Sequence, residues 1–251
     1  MADLELTPTE QVPTDLKSRL KASYDAIAPT YNTWTESHGP LRLRYLNRVL
    51  SLLQPRHDAS GAPSTRRISA LELGCGAGLP VTKTLLSLPD TIDVHVTAND
   101  LSSTQIALGK ARLGDDPRRI TWVEGDMMDL SFPPDSLDLV VALYSVIHLP
   151  REEQAVLLER VAGWLRPGGL VLVNFGREEM DGAVMERWLG EEKGWMYWSG
   201  FGEAKTLEVV RERAGLEVLV SEVTSDDGGT DAEFLWVIAR KKGEGESLPG
   251  V

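Results

Sequence analysis

From Ile68 onward the apolar positions fall into short blocks separated by polar turns. Seven of these blocks, "ISALEL", "IDVHVTA", "ITWVEGD", "LDLVVALYSV", "GLVLVNFG", "LEVLVSEVT" and "EFLWVIAR", are rich in Val, Ile and aromatic residues, which pack well on a pleated surface. Between the first five run segments with apolar residues at helical spacing, among them "LPVTKTLLSL", "STQIALGKARL" and "REEQAVLLERVAGWL". Strands and helices in regular alternation require right-handed crossovers, and so predict a mostly parallel sheet covered by helices on both faces. The last two strands are joined only by "SDDGGTD". So short a link cannot cross the sheet, and these strands must pair antiparallel. The pattern therefore predicts an α/β three-layer sandwich: a seven-stranded, mostly parallel sheet closed by an antiparallel C-terminal hairpin of strands six and seven.

Upstream of the sheet, the spacing predicts helices from about Asp15 to Ile27 and from about Leu41 to Leu53, then a polar linker, "QPRHDASGAPSTRR". The chain divides accordingly into a flexible N-terminus over 1–14, helices over 15–54 that cover a site, a linker over 55–67, a core over 68–240 with an insertion at about 177–202, and a flexible tail over 241–251. Composition adds exclusions. A net charge of −12 argues against a nucleic-acid partner, because phosphate neutralisation needs clustered Lys and Arg. No apolar run approaches the roughly 20 residues that span a bilayer, and the N-terminus lacks the grading of a signal peptide, so no membrane partner is expected. A single cysteine, Cys75, leaves no internal disulfide and suits a reducing, cytoplasmic setting.

The candidate site begins at "LELGCGAGLP", where Gly74, Gly76 and Gly78 let the chain turn sharply out of the first strand and bring its backbone against a ligand. Pro80 suits the first turn of the next helix. The dinucleotide fingerprint needs its third glycine where Leu79 stands, so NAD and a phosphate-free adenosine cofactor compete here, beside a tight turn with no ligand. An acid narrows the choice. Ligands of open α/β sheets lie beyond the carboxyl ends of the strands, where a carboxylate can accept both ribose hydroxyls. Asp93 begins the second strand and falls at the wrong edge; Asp100 ends it and falls at the right one. The competing role for Asp100 is capping the next helix, which Ser102 or Ser103 can fill instead.

In their order, these motifs resemble those of the class I S-adenosylmethionine-dependent methyltransferases over roughly Tyr24 to Arg240. "LELGCGAG" is similar to the family's first motif, "VTANDLS" to its acidic second, "VEGDMMDLSFPPDSLDLVVA" to its third and fourth, and "LRPGGLVLV" to the segment entering its fifth strand. The resemblance implies a Rossmann-like fold with S-adenosyl-L-methionine as cofactor. It also implies that Gly74, Cys75 and Gly76 line the methionine portion and that Asp100 holds the ribose, with Leu101 against the adenine. Gly125 would also bind the cofactor, Asp126 would face the adenine amino group, Met127 would cover the ring, and Leu143 would pass close to the sulfonium. "YDAIAPTYNTW" resembles the N-terminal segment of small-molecule members related to quinone-precursor (ubiquinone and menaquinone) methyltransferases, which puts Tyr24 and Tyr31 near the carboxypropyl end. Their alternative role is to anchor the first helix. Cys75 stands where only a small residue is needed, and is not read as a nucleophile.

A sulfonium leaves readily, so the protein's task is alignment and exclusion of water, with a base needed only where the acceptor must lose a proton. Past the fourth strand, "ALYSVIHLPREEQ" offers Tyr144 and His148 as catalytic candidates on the acceptor side; packing against the next helix is the alternative for His148. "LYSV" replaces the Asn/Asp-Pro-Pro-aromatic tetrad of base-methylating enzymes, a second argument against nucleic acid. In the insertion, Trp188, Trp195, Met196, Tyr197, Trp198 and Phe201 suggest a lid over an apolar or aromatic small molecule such as a secondary metabolite, with O, N or S as acceptor. The alternative is a cluster that merely fastens the insertion. No metal is expected. Two rival functions stand beside methyl transfer: a cofactor-binding protein without transfer, regulatory or assisting a rearrangement, and an NAD-dependent oxidoreductase.

Overall fold

The computed structural model describes residues 6–9, 11–53, 67–89, 92–225 and 232–243; of the expected linker over 55–67 only residue 67 falls within them, and of the expected tail over 241–251 only 241–243, where Lys241 ends the last strand. In chain order come strand β1 (Thr7–Pro8), helices α1 (Leu16–Thr35) and α2 (Gly39–Leu52), β2 (Ile68–Leu73), α3 (Val81–Leu86), β3 (Val94–Asp100), α4 (Ser103–Leu113), β4 (Ile120–Glu124), β5 (Leu137–Ala142) and α5 (Arg151–Trp164). They are followed by β6 (Leu165–Gly176), β7 (Glu179–Glu186), β8 (Trp195–Phe201), α6 (Glu203–Glu208), β9 (Leu216–Ser225) and β10 (Glu233–Lys241). The main sheet has seven strands in the order β4-β3-β2-β5-β6-β10-β9. Its first four pairings are parallel, while β10 runs antiparallel to both β6 and β9, as the short link between the last two strands requires.

Side chains alternate across a strand, so each apolar block feeds two cores. Leu71, Leu73, Val140, Val171 and Val237 pack on one face with Leu157, Leu158 and Val161 of α5. Ala70, Leu139, Val141, Leu172 and Trp236 pack on the other with Tyr45, Leu46 and Val49 of α2 and Leu85 of α3. This is the expected three-layer, Rossmann-like sandwich.

Three features differ from the sequence expectations. Helix α1 does not stop near Ile27 but continues through Pro29 to Thr35. Proline removes one helical hydrogen bond, yet the extension buries Ala28, Asn32 and Thr35 and sets Tyr31 against Tyr24 and Trp34, so packing overrides local preference. Within the segment expected to be flexible over 1–14, Thr7 and Pro8 pair with Val184 and Ala183 of β7. The insertion is a β-hairpin, β7 with β8, which together with β1 makes a separate three-stranded sheet docked on α1.

Candidate active site

The carboxyl ends of β2, β3 and β4 meet the inner face of α1 around a narrow cavity of about 70 Å³. It is lined by Gly74 and Gly76 after β2, Asp100 and Leu101 at the end of β3, Gly125, Asp126 and Met127 after β4, Leu143 after β5, and Tyr24 and Tyr31 from α1. Cys75 lines instead a cavity of about 490 Å³ bounded by α1, α2 and α3, with desolvation holding its thiol well above the ordinary range. Asp93 lies before β3, at 3.8 Å from Arg67.

The loop geometry explains its glycines. The amides of Gly74 and Cys75 both donate to the Asn99 carbonyl at 2.8 Å, which draws the chain over the end of β3. Gly74 has φ +73°, and a Cβ there would lie 2.4 Å from that of Ser145. Gly76 has φ +53°, and a Cβ would meet nothing within 4 Å, so its backbone faces open space. Asp100 accepts the Gly76 amide at 2.8 Å through Oδ2 and the Ser102 amide at 2.8 Å through Oδ1. The cap of α4 is Ser102, whose Oγ accepts from the Gln105 amide at 3.1 Å. Desolvation pushes the Asp100 carboxyl up to about 6 against the pull of its two amide bonds, with Asp25 adding to the rise and Lys21 opposing it. Glu72, buried in β2 and facing the larger cavity, is pushed by burial to about 8 although the Thr82 hydroxyl donates to it.

Helix α1 is fastened across this edge by its polar face. Lys17 lies 3.2 Å from Asp126 and 2.6 Å from Glu153, and Lys21 lies 2.8 Å from Glu124. Asp25 accepts from Ser102 Oγ at 2.6 Å and from the Thr104 amide at 3.0 Å. The hairpin is tied to the same helix: Trp195 N donates to Ser23 Oγ at 2.8 Å, and Thr30 Oγ1 to Glu191 at 2.6 Å.

Beyond α1 lies a third cavity of about 620 Å³, lined by Trp34, Ile147, Met180, Met185, Trp188, Trp198 and Phe234. It shares Tyr24, Tyr31, Tyr144 and His148 with the narrow cavity. His148 Nδ1 is 2.7 Å from the Tyr197 carbonyl, which can only accept, so this nitrogen carries the proton and Nε2 accepts from Tyr24 Oη at 2.9 Å. Desolvation lowers the imidazole to about 4. Tyr144 is held in the left-handed region at φ 55°, its amide donating to Asn174 Oδ1 at 2.7 Å and its ring lying 4.7 Å from the Arg42 guanidinium.

The six insertion residues divide. Trp188 and Trp198 line the large cavity, whereas Trp195, Met196 and Tyr197 are buried with Leu16, Leu20 and Ile27 of α1. Phe201 packs toward the α5 side of the sheet with Arg151 and Lys205 near its ring. Docking of the hairpin on α1 uses most of this aromatic surface, so two of the six expected residues line the cavity. Sequence reasoning missed Glu72, Asn32, Thr35 and Arg42. The signal for Arg42 was present: it falls within the apolar stripe of Leu41, Tyr45, Leu46 and Val49 on α2.

Residues 70–169 match the family model described as a methyltransferase domain. Over these residues the chain carries a methyltransferase domain of the class I, S-adenosylmethionine-dependent kind. It is 35% identical over 134 residues to the tRNA N(3)-cytidine methyltransferase METTL2 of Danio rerio, covering 51% of this chain and 37% of that protein. It is 27% identical over 157 residues to the N-terminal Xaa-Pro-Lys N-methyltransferase 1 of Homo sapiens, covering 62% of this chain and 68% of that one. The fold is shared with the 1,6-didemethyltoxoflavin-N1-methyltransferase of Burkholderia thailandensis, solved with 1,6-didemethyltoxoflavin and S-adenosylhomocysteine, at a TM-score of 0.67, 18% identity and 97% coverage of both chains.

The cofactor of this methyltransferase is therefore S-adenosylmethionine, and the residues present fit it. Asn32 Nδ2, Thr35 Oγ1 and Arg42 Nε are buried with no hydrogen-bond partner among the described residues, and all three residues line the 490 Å³ cavity beside Gly74, Cys75 and Gly76. Donors of this kind are costly to bury without an acceptor, and an amino-acid carboxylate supplies one. At the other end, Gly76 and Gly125 leave open backbone beside the carboxylates of Asp100 and Asp126. Leu79 no longer counts as a missing glycine, since this cofactor has no pyrophosphate to cradle. No helix among the described residues is long and apolar enough to cross a membrane.

Proposed function

We propose that the protein transfers a methyl group from S-adenosylmethionine to an O, N or S atom of an apolar or aromatic small molecule. The observation that carries this reading is the 620 Å³ aromatic cavity sharing Tyr24, Tyr31, Tyr144 and His148 with the cofactor pocket. Its volume falls in the range of small-molecule sites, and its lining is mostly apolar and aromatic.

In this reading Asp100 accepts the ribose hydroxyls, Leu101 and Met127 flank the adenine, and Gly125 and Asp126 meet its amino group. Gly74, Cys75 and Gly76 line the methionine portion, Arg42 with Asn32 and Thr35 takes the carboxylate, and Leu143 lies by the sulfonium. When bound, the cofactor supplies an electrophilic methyl on a good leaving group. The chain's own work is to align the acceptor between Tyr144, Trp188 and Trp198 and to exclude water with α1 and the hairpin. No nucleic acid takes part, and the single, buried cysteine suits a cytoplasmic setting.

The test is incubation of methyl-labelled cofactor with fractionated extract from the native host. Label in a low-molecular-mass product is the expected result. Label confined to tRNA or protein would replace the small-molecule reading with a macromolecular one, and cofactor binding without any labelled product would leave a binding protein or a rearrangement catalyst.

A further inference from the structure

Because the cofactor pocket and the acceptor cavity meet at Tyr24, Tyr31, Tyr144 and His148, a methyl group passing from one to the other travels between these side chains. A chain of hydrogen bonds converges on this point from three elements. The Tyr197 carbonyl of β8 accepts Nδ1–H of His148 at 2.7 Å, and His148 Nε2 accepts the hydroxyl proton of Tyr24 on α1 at 2.9 Å. Each link dictates the next: the carbonyl fixes the imidazole tautomer, and the tautomer fixes the direction of the phenolic proton. With that proton turned to His148, the lone pairs of Tyr24 Oη are left for a different neighbour. The ring itself is held edge-on, with centroids 5.2 Å from Tyr31 and 6.2 Å from Trp188.

We propose that His148 is a positioning residue rather than the general base, and that it aims the Tyr24 oxygen at the methyl and sulfonium of the bound cofactor. This rests on the methyltransferase reading above. The oxygen attracts the positive charge and holds the methyl in line with the acceptor. The acceptor's lone pair forms the new bond to the methyl carbon, the carbon–sulfur bond breaks with its electron pair left on sulfur, and any acceptor proton is released to solvent as the product leaves, since both ring nitrogens of His148 are engaged. Charge states agree with the geometry. Desolvation lowers His148 to about 4 and, with Tyr31 and Asp100 adding to it and Arg42 opposing, raises Tyr24 well above its ordinary range, so the pair stays neutral from about pH 5 to 9.

Calorimetric affinities for S-adenosylmethionine and S-adenosylhomocysteine separate this role from packing, because only the former carries the charged sulfonium and its methyl. Tyr24→Phe and His148→Leu are each expected to weaken S-adenosylmethionine about five- to tenfold and the demethylated product less than about twofold. The double variant is expected to be no weaker than the worse single one, since both remove the same hydrogen bond. Nitrogen NMR of the wild type is expected to find His148 Nε2 unprotonated and untitrating from about pH 5 to 8. Should His148→Leu fail to fold, His148→Gln, which retains an acceptor for Tyr24, is expected to keep the preference for the sulfonium. Equal losses for both ligands, an unaffected His148 variant, or titration of His148 in that range would overturn the proposal and leave the methyltransferase reading standing. A wild type that binds neither ligand would remove both.

Discussion

At Asp100 the proposed ribose contact meets a titration. Its carboxylate holds the Gly76 and Ser102 amides, and desolvation raises its pKa to about 6. Ribose hydroxyls donate best to the ionised form, so protons and cofactor compete for it. S-adenosylhomocysteine affinity is therefore expected to be flat above about pH 6 and to fall up to about tenfold per pH unit below it. Asp100→Ala should weaken binding sharply at neutral pH and abolish that slope; calorimetry across about pH 5 to 8 measures both, and a slope unchanged by the substitution would assign it to another group. Stability runs the other way. A carboxyl raised above its unfolded value of ~3.9 keeps its proton longer in the folded state, so its contribution weakens as pH rises from about 4 to 6. Asp100→Asn is expected to flatten that part of a plot of Tm against pH.

At the scale of elements, α1 and the β7–β8 hairpin pack together as a cover across the site. The narrow cavity of about 70 Å³ is small for a nucleoside, so the proposed function calls for α1 to move as the cofactor enters. The ion pairs Lys17–Asp126 and Lys17–Glu153 are partly exposed and contribute about 0.2–1 kcal/mol each, an amount that salt reduces. Lys17→Met is accordingly expected to speed association of S-adenosylhomocysteine by about two- to fivefold at low salt, with little difference at about 0.5 M. Stopped-flow fluorescence of the lid tryptophans reads this, and equal rates at both ionic strengths would show that these pairs do not limit entry. The strands of the main sheet could be read from the sequence because each feeds one or two buried faces with β-branched residues between clear turn signals. The cover could not. β8 is buried against α1 along Trp195, Met196 and Tyr197, which leaves no simple alternation, and β1 is only two residues long. The same distinction applies within the site. Gly74, Gly76 and Asp100 are marked by backbone conformation and by position at a strand end, whereas Asn32, Thr35 and Arg42 come together only when two helices pack, an event with no period in the sequence.

At the scale of the whole molecule, the open question among relatives that act on tRNA or on protein N-termini is the kind of acceptor, and charge separates the possibilities. With 38 acidic against 26 basic side chains, the surface repels a polyanion and attracts a cationic peptide. Binding of tRNA would release counterions and weaken steeply with salt, and binding of a basic peptide would weaken as its attraction was screened. An apolar acceptor in the Trp34, Trp188 and Trp198 cavity is held by burial, which salt of this concentration leaves almost unchanged. The acceptor KM is therefore expected to vary less than about twofold between about 0.05 and 0.5 M NaCl, while labelled tRNA shows no anisotropy change at about 0.15 M. A KM that climbed with salt, or a tRNA complex that dissolved with it, would put the acceptor on the outside of the molecule, and the aromatic cavity would then be read as the inner packing of the cover.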